Sequence, residues 1–147
     1  MPHAGDNRLK NTIRKHDKLK SSQSIETLYR ANQFVLSYPL KCYYSLSELK
    51  KDENAVLVAF TVPKRMFKYA VVRNRLKRRM REAYRLNYKK ILESLFTQNQ
   101  KQLQLLFIFI GKEITDYGSI EKSMQVQLSK INEKITTNHY TTLPYKS

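Results

Sequence analysis

Six stretches of the chain space their apolar residues regularly, and the period changes from one to the next. Over about 23–31, behind the capping hydroxyls of Ser21 and Ser22, Ile25, Leu28 and Tyr29 fall on one side of a short helix. Leu40, Cys42, Tyr44 and Leu46 then alternate with Lys41, Tyr43 and Ser45, the period of a half-buried strand over 38–46. A polar turn over 47–54 leads into Ala55–Val62, a continuous apolar run rich in β-branched residues and ended by Pro63. Such a run suits a strand covered on both faces.

Helical spacing follows. At about 100° per residue, Val72, Leu76, Met80, Ala83, Asn87 and Ile91 form one stripe, with Tyr69 and Tyr84 at its borders. This predicts a helix over 70–96, broken by Gln98, Asn99 and Gln100. Arg73 falls near the apolar edge, so the helix begins close to it or its guanidinium has a specific polar partner. Leu103–Ile110 reads as a further buried strand closed by Gly111. A last helix starts near Gly118 or Ser119 and carries Ile120, Met124, Leu128, Ile131 and Ile135 at intervals of 4, 4, 3 and 4. From Thr136 the chain turns polar, as a frayed tail would.

The strand–helix–strand centre (55–62, 70–96, 103–110) demands a crossover and at least one parallel strand pair. The fold class expected is α+β, an α/β sandwich with helices packed on a mixed β-sheet. At 147 residues with 3 Gly and 4 Pro, no linker and no internal repeat, the chain suits one domain over 19–136. A flexible basic arm (1–18) precedes it, and a polar tail (137–147) follows.

Charge narrows the function. The 28 Lys and Arg exceed the 12 Asp and Glu by 16. Residues 64–90 hold twelve basic residues and one acid, Glu82, which is +11 of that excess; residues 1–20 supply +4 and the other 100 residues only +1. Repulsion between like charges at i,i+3 and i,i+4 opposes helix formation, and one acid cannot relieve it. A localised excess of this kind points to a polyanionic partner, with nucleic acid ahead of an anionic membrane surface.

Catalytic chemistry is sparse. His3, His16 and His139 lie in the terminal segments, no His/Asp/Glu set has metal spacing, and no glycine-rich loop or nucleophile elbow is present. Glu113 and Asp116, after the last strand, read as a solvated turn. The lone Cys42 reads as a small core residue, excludes a disulfide framework and fits a reducing, cytoplasmic setting. The longest apolar run, Leu105–Ile110, is too short to cross a membrane.

RNA is the expected partner rather than DNA. A DNA-reading basic helix of this length would need a dimerising heptad repeat, and none follows Lys90. Many Arg with few Asn or Gln suit phosphate and shape contacts more than base reading. Tyr43, on the strand face opposite Leu40 and Cys42, could join Tyr29 of the first helix as a stacking surface for a single strand, or both could pack inward.

Phe60-Thr61-Val62-Pro63-Lys64-Arg65, followed by Ala70-Val71-Val72-Arg73-Asn74-Arg75-Leu76-Lys77-Arg78-Arg79-Met80-Arg81-Glu82-Ala83-Tyr84-Arg85, resembles the signature of the bacterial ribonuclease P protein component. The resemblance covers roughly residues 19–136. It implies a left-handed βαβ crossover around the basic helix and a role as protein subunit of a ribonucleoprotein endonuclease. That enzyme removes the 5′ leader of precursor tRNA, the catalytic RNA subunit performing hydrolysis with Mg²⁺, so no catalytic residue is expected in the protein. By position, Arg73, Asn74, Arg75, Arg78 and Arg79 match the part that docks on the catalytic RNA, and Lys77 and Arg81 match positions that approach the leader. Lys64, Arg65 and Arg85 complete the candidate RNA-binding set, and Tyr29 and Tyr43 fall in the leader cleft. One departure stands out: Pro63–Tyr69 is one residue longer than the family pattern and lacks its glycine. A structural rRNA-binding protein, or a self-sufficient nuclease using Glu113 and Asp116, are the alternatives.

Overall fold

The computed structural model describes residues 22–49, 55–92 and 101–141, with side chains over 25–49, 55–92 and 101–136. The arm over 1–18, the Ser21 cap, most of the 47–54 turn, residues 93–96 of the expected helix and the last part of the tail lie outside these. The elements run α1 (Ser22–Ala31), β1 (Phe34–Ser37), β2 (Leu40–Glu48), β3 (Val56–Thr61), α2 (Ala70–Ile91), β4 (Lys101–Phe109) and α3 (Tyr117–Thr141). The strands form one mixed sheet in the order β1-β2-β4-β3. β1–β2 and β2–β4 are antiparallel, whereas β3 and β4, the strands flanking α2, are parallel neighbours. The expected crossover therefore exists, with the basic helix as its connection.

One face of the sheet carries Leu40, Cys42 and Tyr44 of β2, Val56 and Val58 of β3, and Leu103, Leu105, Phe107 and Phe109 of β4. Against it pack Leu76, Met80, Ala83, Tyr84 and Tyr88 of α2 and Ile120, Met124, Leu128 and Ile131 of α3. The predicted stripes are thus the inward ones, with Val72, Ile91 and Ile135 only half-buried. The two border tyrosines part company: Tyr69 is exposed, whereas Tyr84 sits at the centre, 2% exposed, with its ring stacked on Tyr88 at 4.5 Å and edge-on to Phe60 at 5.7 Å. Asn87, the polar member of the stripe, donates to Ala83 O at 2.7 Å and to Glu121 at 3.2 Å and accepts from Gln125 at 3.0 Å. Those bonds meet the usual condition for burying an amide between two helices.

The structure corrects several expectations. β1 was not anticipated: at four residues it is too short to show a period, and its pattern is exposed, buried, exposed, half-buried. It survives as an edge strand because α3 ties its carbonyls down. Ser123 Oγ donates to Ser37 O, the fully buried Gln127 donates to Val35 O (3.2 Å) and Leu40 O (2.8 Å), and Lys130 Nζ donates to Leu36 O (2.8 Å). α2 ends at Ile91, with Leu92 as its buried C-cap, rather than near 96. α3 continues to Thr141, so the first residues of the expected tail are helical. Its N-cap is Asp116, which accepts from Ser119 N (3.1 Å) and Ser119 Oγ (2.8 Å). Those bonds hold the Asp116 carboxyl below its usual range.

Two local details fix the ends of elements. Asn32, at φ 56°, closes α1 in the left-handed conformation that a short amide tolerates. Gly111 ends β4 where a Cβ would come within 2.8 Å of the Phe109 ring. No helix among the described residues is long and apolar enough to cross a membrane.

Candidate nucleic-acid interface

Because α2 buries one stripe, helical geometry divides its cations into two groups. Arg75, Arg78 and Arg79 turn toward the start of α3, where they line a pocket of about 390 Å³ with Glu82 and Tyr117. Lys77 and Arg81 turn the other way, toward edge strand β3, and the Arg81 guanidinium lies 5.8 Å from the Phe60 ring. Lys64 and Arg65 are exposed in the turn that follows Pro63. Among the described residues, the side chains of Lys64, Arg65, Asn74, Arg75, Lys77 and Arg78 make no hydrogen bond or ion pair with protein groups.

Three other members of the predicted set have protein partners. Arg73 Nη1 donates to Phe67 O (2.8 Å) and Lys68 O (2.9 Å), which answers its awkward position: it clamps the loop entering the helix. Arg79 Nη1 donates to Thr115 O at 2.6 Å and so ties α2 to the start of α3. Arg85 makes a forked pair with Glu82, Nε to Oε1 at 3.0 Å and Nη2 to Oε2 at 2.7 Å. The hydrogen bonds from Arg85 hold the Glu82 carboxyl below its ordinary value. The acid inside the basic helix is therefore neutralised locally, and the free cations beside it keep their field.

The loop itself is built without the family's glycine. Met66 N and Phe67 N both donate to Pro63 O (3.3 and 3.2 Å), and the Phe67 ring turns inward against Phe109 at 5.6 Å.

The second face of the sheet is different in kind. Among the described residues only α1 lies over it, and the buried cluster there is Leu28, Tyr43 and Leu106. Tyr43 does lie on this face, as its position in the alternation predicts, but it is buried beneath its neighbours rather than open. Tyr29 packs edge-on to it at 4.9 Å and Phe34 tilts against it at 5.6 Å. The Lys41 ammonium sits over both the Phe34 and Tyr43 rings, at 4.3 and 4.9 Å. The ring surface open to a ligand belongs to Tyr29 and Phe34, 44% and 40% exposed. Burial, then the neighbouring Tyr43, push the Tyr29 hydroxyl up while Lys41 pulls it down, so it stays neutral at ordinary pH. Phe34 was missed because β1 was missed; the signal available was its place beside Val35 and Leu36.

A family model described as Ribonuclease P matches residues 13–132. The chain is 34% identical over 120 residues to the ribonuclease P protein component of Porphyromonas gingivalis, across 81% of this chain and 85% of that one. It is 38% identical over 108 residues to that of Chlorobium phaeobacteroides, across 69% and 73%. Among solved structures, the Staphylococcus aureus RNase P protein is similar with a TM-score of 0.59, at 17% identity, over 78% of this chain and 94% of that one. A mutant of that protein gives 0.62, at 18% identity, over 85% and 95%. At those identities the shared property is the fold; at the curated relatives' identities and coverage it is descent, and the chain belongs to the ribonuclease P protein component family.

Proposed function

We propose that this chain is the protein subunit of a ribonucleoprotein that removes the 5′ leader of precursor tRNA. The observation that carries the reading is the outward surface of α2 with its entry loop: Lys64, Arg65, Arg75, Lys77 and Arg78 are cations without protein partners, on a helix whose one acid is already paired. Such a surface binds phosphates by releasing counterions. In this reading Arg75, Arg78 and Arg79 face the catalytic RNA subunit, with Asn74 and Arg73 at the start of the same helix. Lys77 and Arg81 flank the β3 edge. The Tyr29–Tyr43–Phe34 cluster with Lys41 receives the leader, with Tyr29 and Phe34 stacking on its bases.

Among the described residues, no three His, Cys, Asp or Glu side chains gather into a metal site. In this proposal magnesium belongs to the RNA subunit, and no hydrolytic step is assigned to a protein side chain. What the protein contributes is attachment, by holding phosphates on α2 and bases on the aromatic face. In this reading the ribonucleoprotein works in the cytoplasm.

Reconstitution tests this directly. RNA-free protein should leave precursor tRNA intact, whereas the cognate catalytic RNA with magnesium should cleave it, and the protein should raise cleavage or substrate affinity at low salt. Absence of any enhancement would overturn the reading.

A further inference from the structure

The entry loop of α2 carries a feature that phosphate binding does not use. Tyr69 stands 68% exposed at the first boundary of the helix, next to Val71 at 69% and Met66 at 40%. Among the described residues, the other tyrosine exposed to this degree, Tyr38, accepts through its hydroxyl from Lys112 N at 3.4 Å. Tyr69 caps nothing with its side chain, and its backbone is extended, at φ −89° and ψ 127°. The backbone around it is nonetheless held on every side. Its carbonyl accepts from Val72 N (3.1 Å) and Arg73 N (3.2 Å), the Arg73 guanidinium grips the two preceding carbonyls, and Phe67 anchors the loop in the core.

An aromatic ring so firmly mounted nonetheless keeps about two thirds of its surface open in the free protein. Its surroundings define what would cover it. Residues 62–81 contain nine Lys and Arg and no Asp or Glu. The Lys68 ammonium lies over one face of the ring, 5.7 Å from its centroid, and so brings a positive charge to the phosphate of a base stacked on the other face. An open aromatic ring with a cation against it, in a segment this basic, matches an unpaired nucleobase with its backbone, whereas an apolar protein surface would have to desolvate those charges. Preorganisation keeps the ordering cost low.

We propose that Tyr69 is a stacking platform for an unpaired RNA base at the N-terminal end of α2, so that the helix distinguishes RNA with an unstacked base from continuous duplex. This inference rests on the RNA-binding reading above. It adds a site separate from the Tyr29–Phe34 surface, which lies on the other face of the sheet.

The chain has no tryptophan, so Tyr69→Trp installs a single fluorophore at the site. Titrated with an oligoadenylate, its emission should be strongly quenched; a blunt RNA duplex of equal length, bound to the same extent by filter retention, should quench it little. Tyr69→Ala should weaken oligoadenylate binding about ten-fold and leave its salt dependence unchanged, while Tyr69→Phe should bind as the parent does. Both variants should keep the parental circular dichroism, since the Tyr69 side chain is mostly exposed and belongs to no part of the core. Equal quenching by both RNAs, or unaltered oligoadenylate binding by Tyr69→Ala, would overturn the proposal while leaving RNA binding standing. Failure of the unmodified protein to bind either RNA would instead overturn the reading on which the proposal rests.

Discussion

Two helices lie side by side on the same face of the sheet, and they solve the same packing problem with different surfaces. α2 buries Leu76, Met80, Ala83, Tyr84, Asn87 and Tyr88; α3 buries Ile120, Ser123, Met124, Gln127, Leu128 and Ile131. Each therefore has one apolar stripe with a polar interruption. Outside that stripe they diverge. α2 carries nine Lys and Arg against Glu82, whereas α3 carries three Lys against two Glu. α3 shows that this fold needs no excess charge to hold a helix against the sheet. The charge on α2 opposes the helix it sits on, and a polyanion bound to its outer surface would offset it.

The largest effects should appear where the helices are alike. Leu76→Ala in α2 and Leu128→Ala in α3 should each destabilise the protein by roughly 2–5 kcal/mol, because both side chains are fully buried. Urea denaturation would measure this, and RNA affinity of the folded protein should hardly change. Next comes a polar contact particular to α3. Gln127→Ala removes two hydrogen bonds to the β1–β2 hairpin and leaves the carbonyls of Val35 and Leu40 buried, at a cost of about 1–3 kcal/mol. Hydrogen exchange should then show β1 opening before the rest of the sheet.

That order of effects also explains what the sequence disclosed. Long periodic segments were legible because the same residues that repeat are the ones buried: Leu76, Met80 and Ala83, or Ile120, Met124 and Leu128. The parallel β3–β4 pair followed from their order with a helix between them. β1 was not legible, since its stability comes from Ser123, Gln127 and Lys130 nearly ninety residues away and not from its own four residues. For the same reason Phe34 was absent from the expected aromatic surface. Arg73 stood out in the sequence by its place near the apolar edge, and the fold supplies its partners; nothing in the pattern separated free cations such as Arg75 from Arg79, whose guanidinium also grips a backbone carbonyl. Tyr43 was placed on the correct face, but its cover by Tyr29 and Phe34 is a matter of tertiary packing.

Where the helices differ, the effects belong to binding. Arg75→Ala or Arg78→Ala should weaken RNA binding by about 1–2 kcal/mol and flatten the dependence of log K on log salt by about one phosphate contact, with folding unchanged. Lys122→Ala in α3 is the matched control and should do neither. Equal losses from both helices would mean that the whole molecule attracts RNA by its net charge, and the contrast between the two surfaces would lose its functional meaning.

The smallest effect sharpens the contrast from the acidic side. Arg85 lowers the pKa of Glu82, so this pair stabilises the protein above the ordinary carboxylate value, and that stabilisation is lost as the pH falls through the depressed one. Both side chains are partly exposed, 31% for Arg85 and 46% for Glu82, so the contribution is under about 1 kcal/mol. Glu82→Gln should therefore shift the urea midpoint slightly at neutral pH and remove a small part of the stability lost toward acid. Its effect on RNA should have the opposite sign. Glu82 lines the same pocket as Arg75, Arg78 and Arg79, so removing its charge should modestly strengthen RNA binding. If Glu82→Gln weakened binding instead, the acid would be acting through Arg85, holding that guanidinium where the RNA needs it, and Arg85→Lys would then produce the same loss.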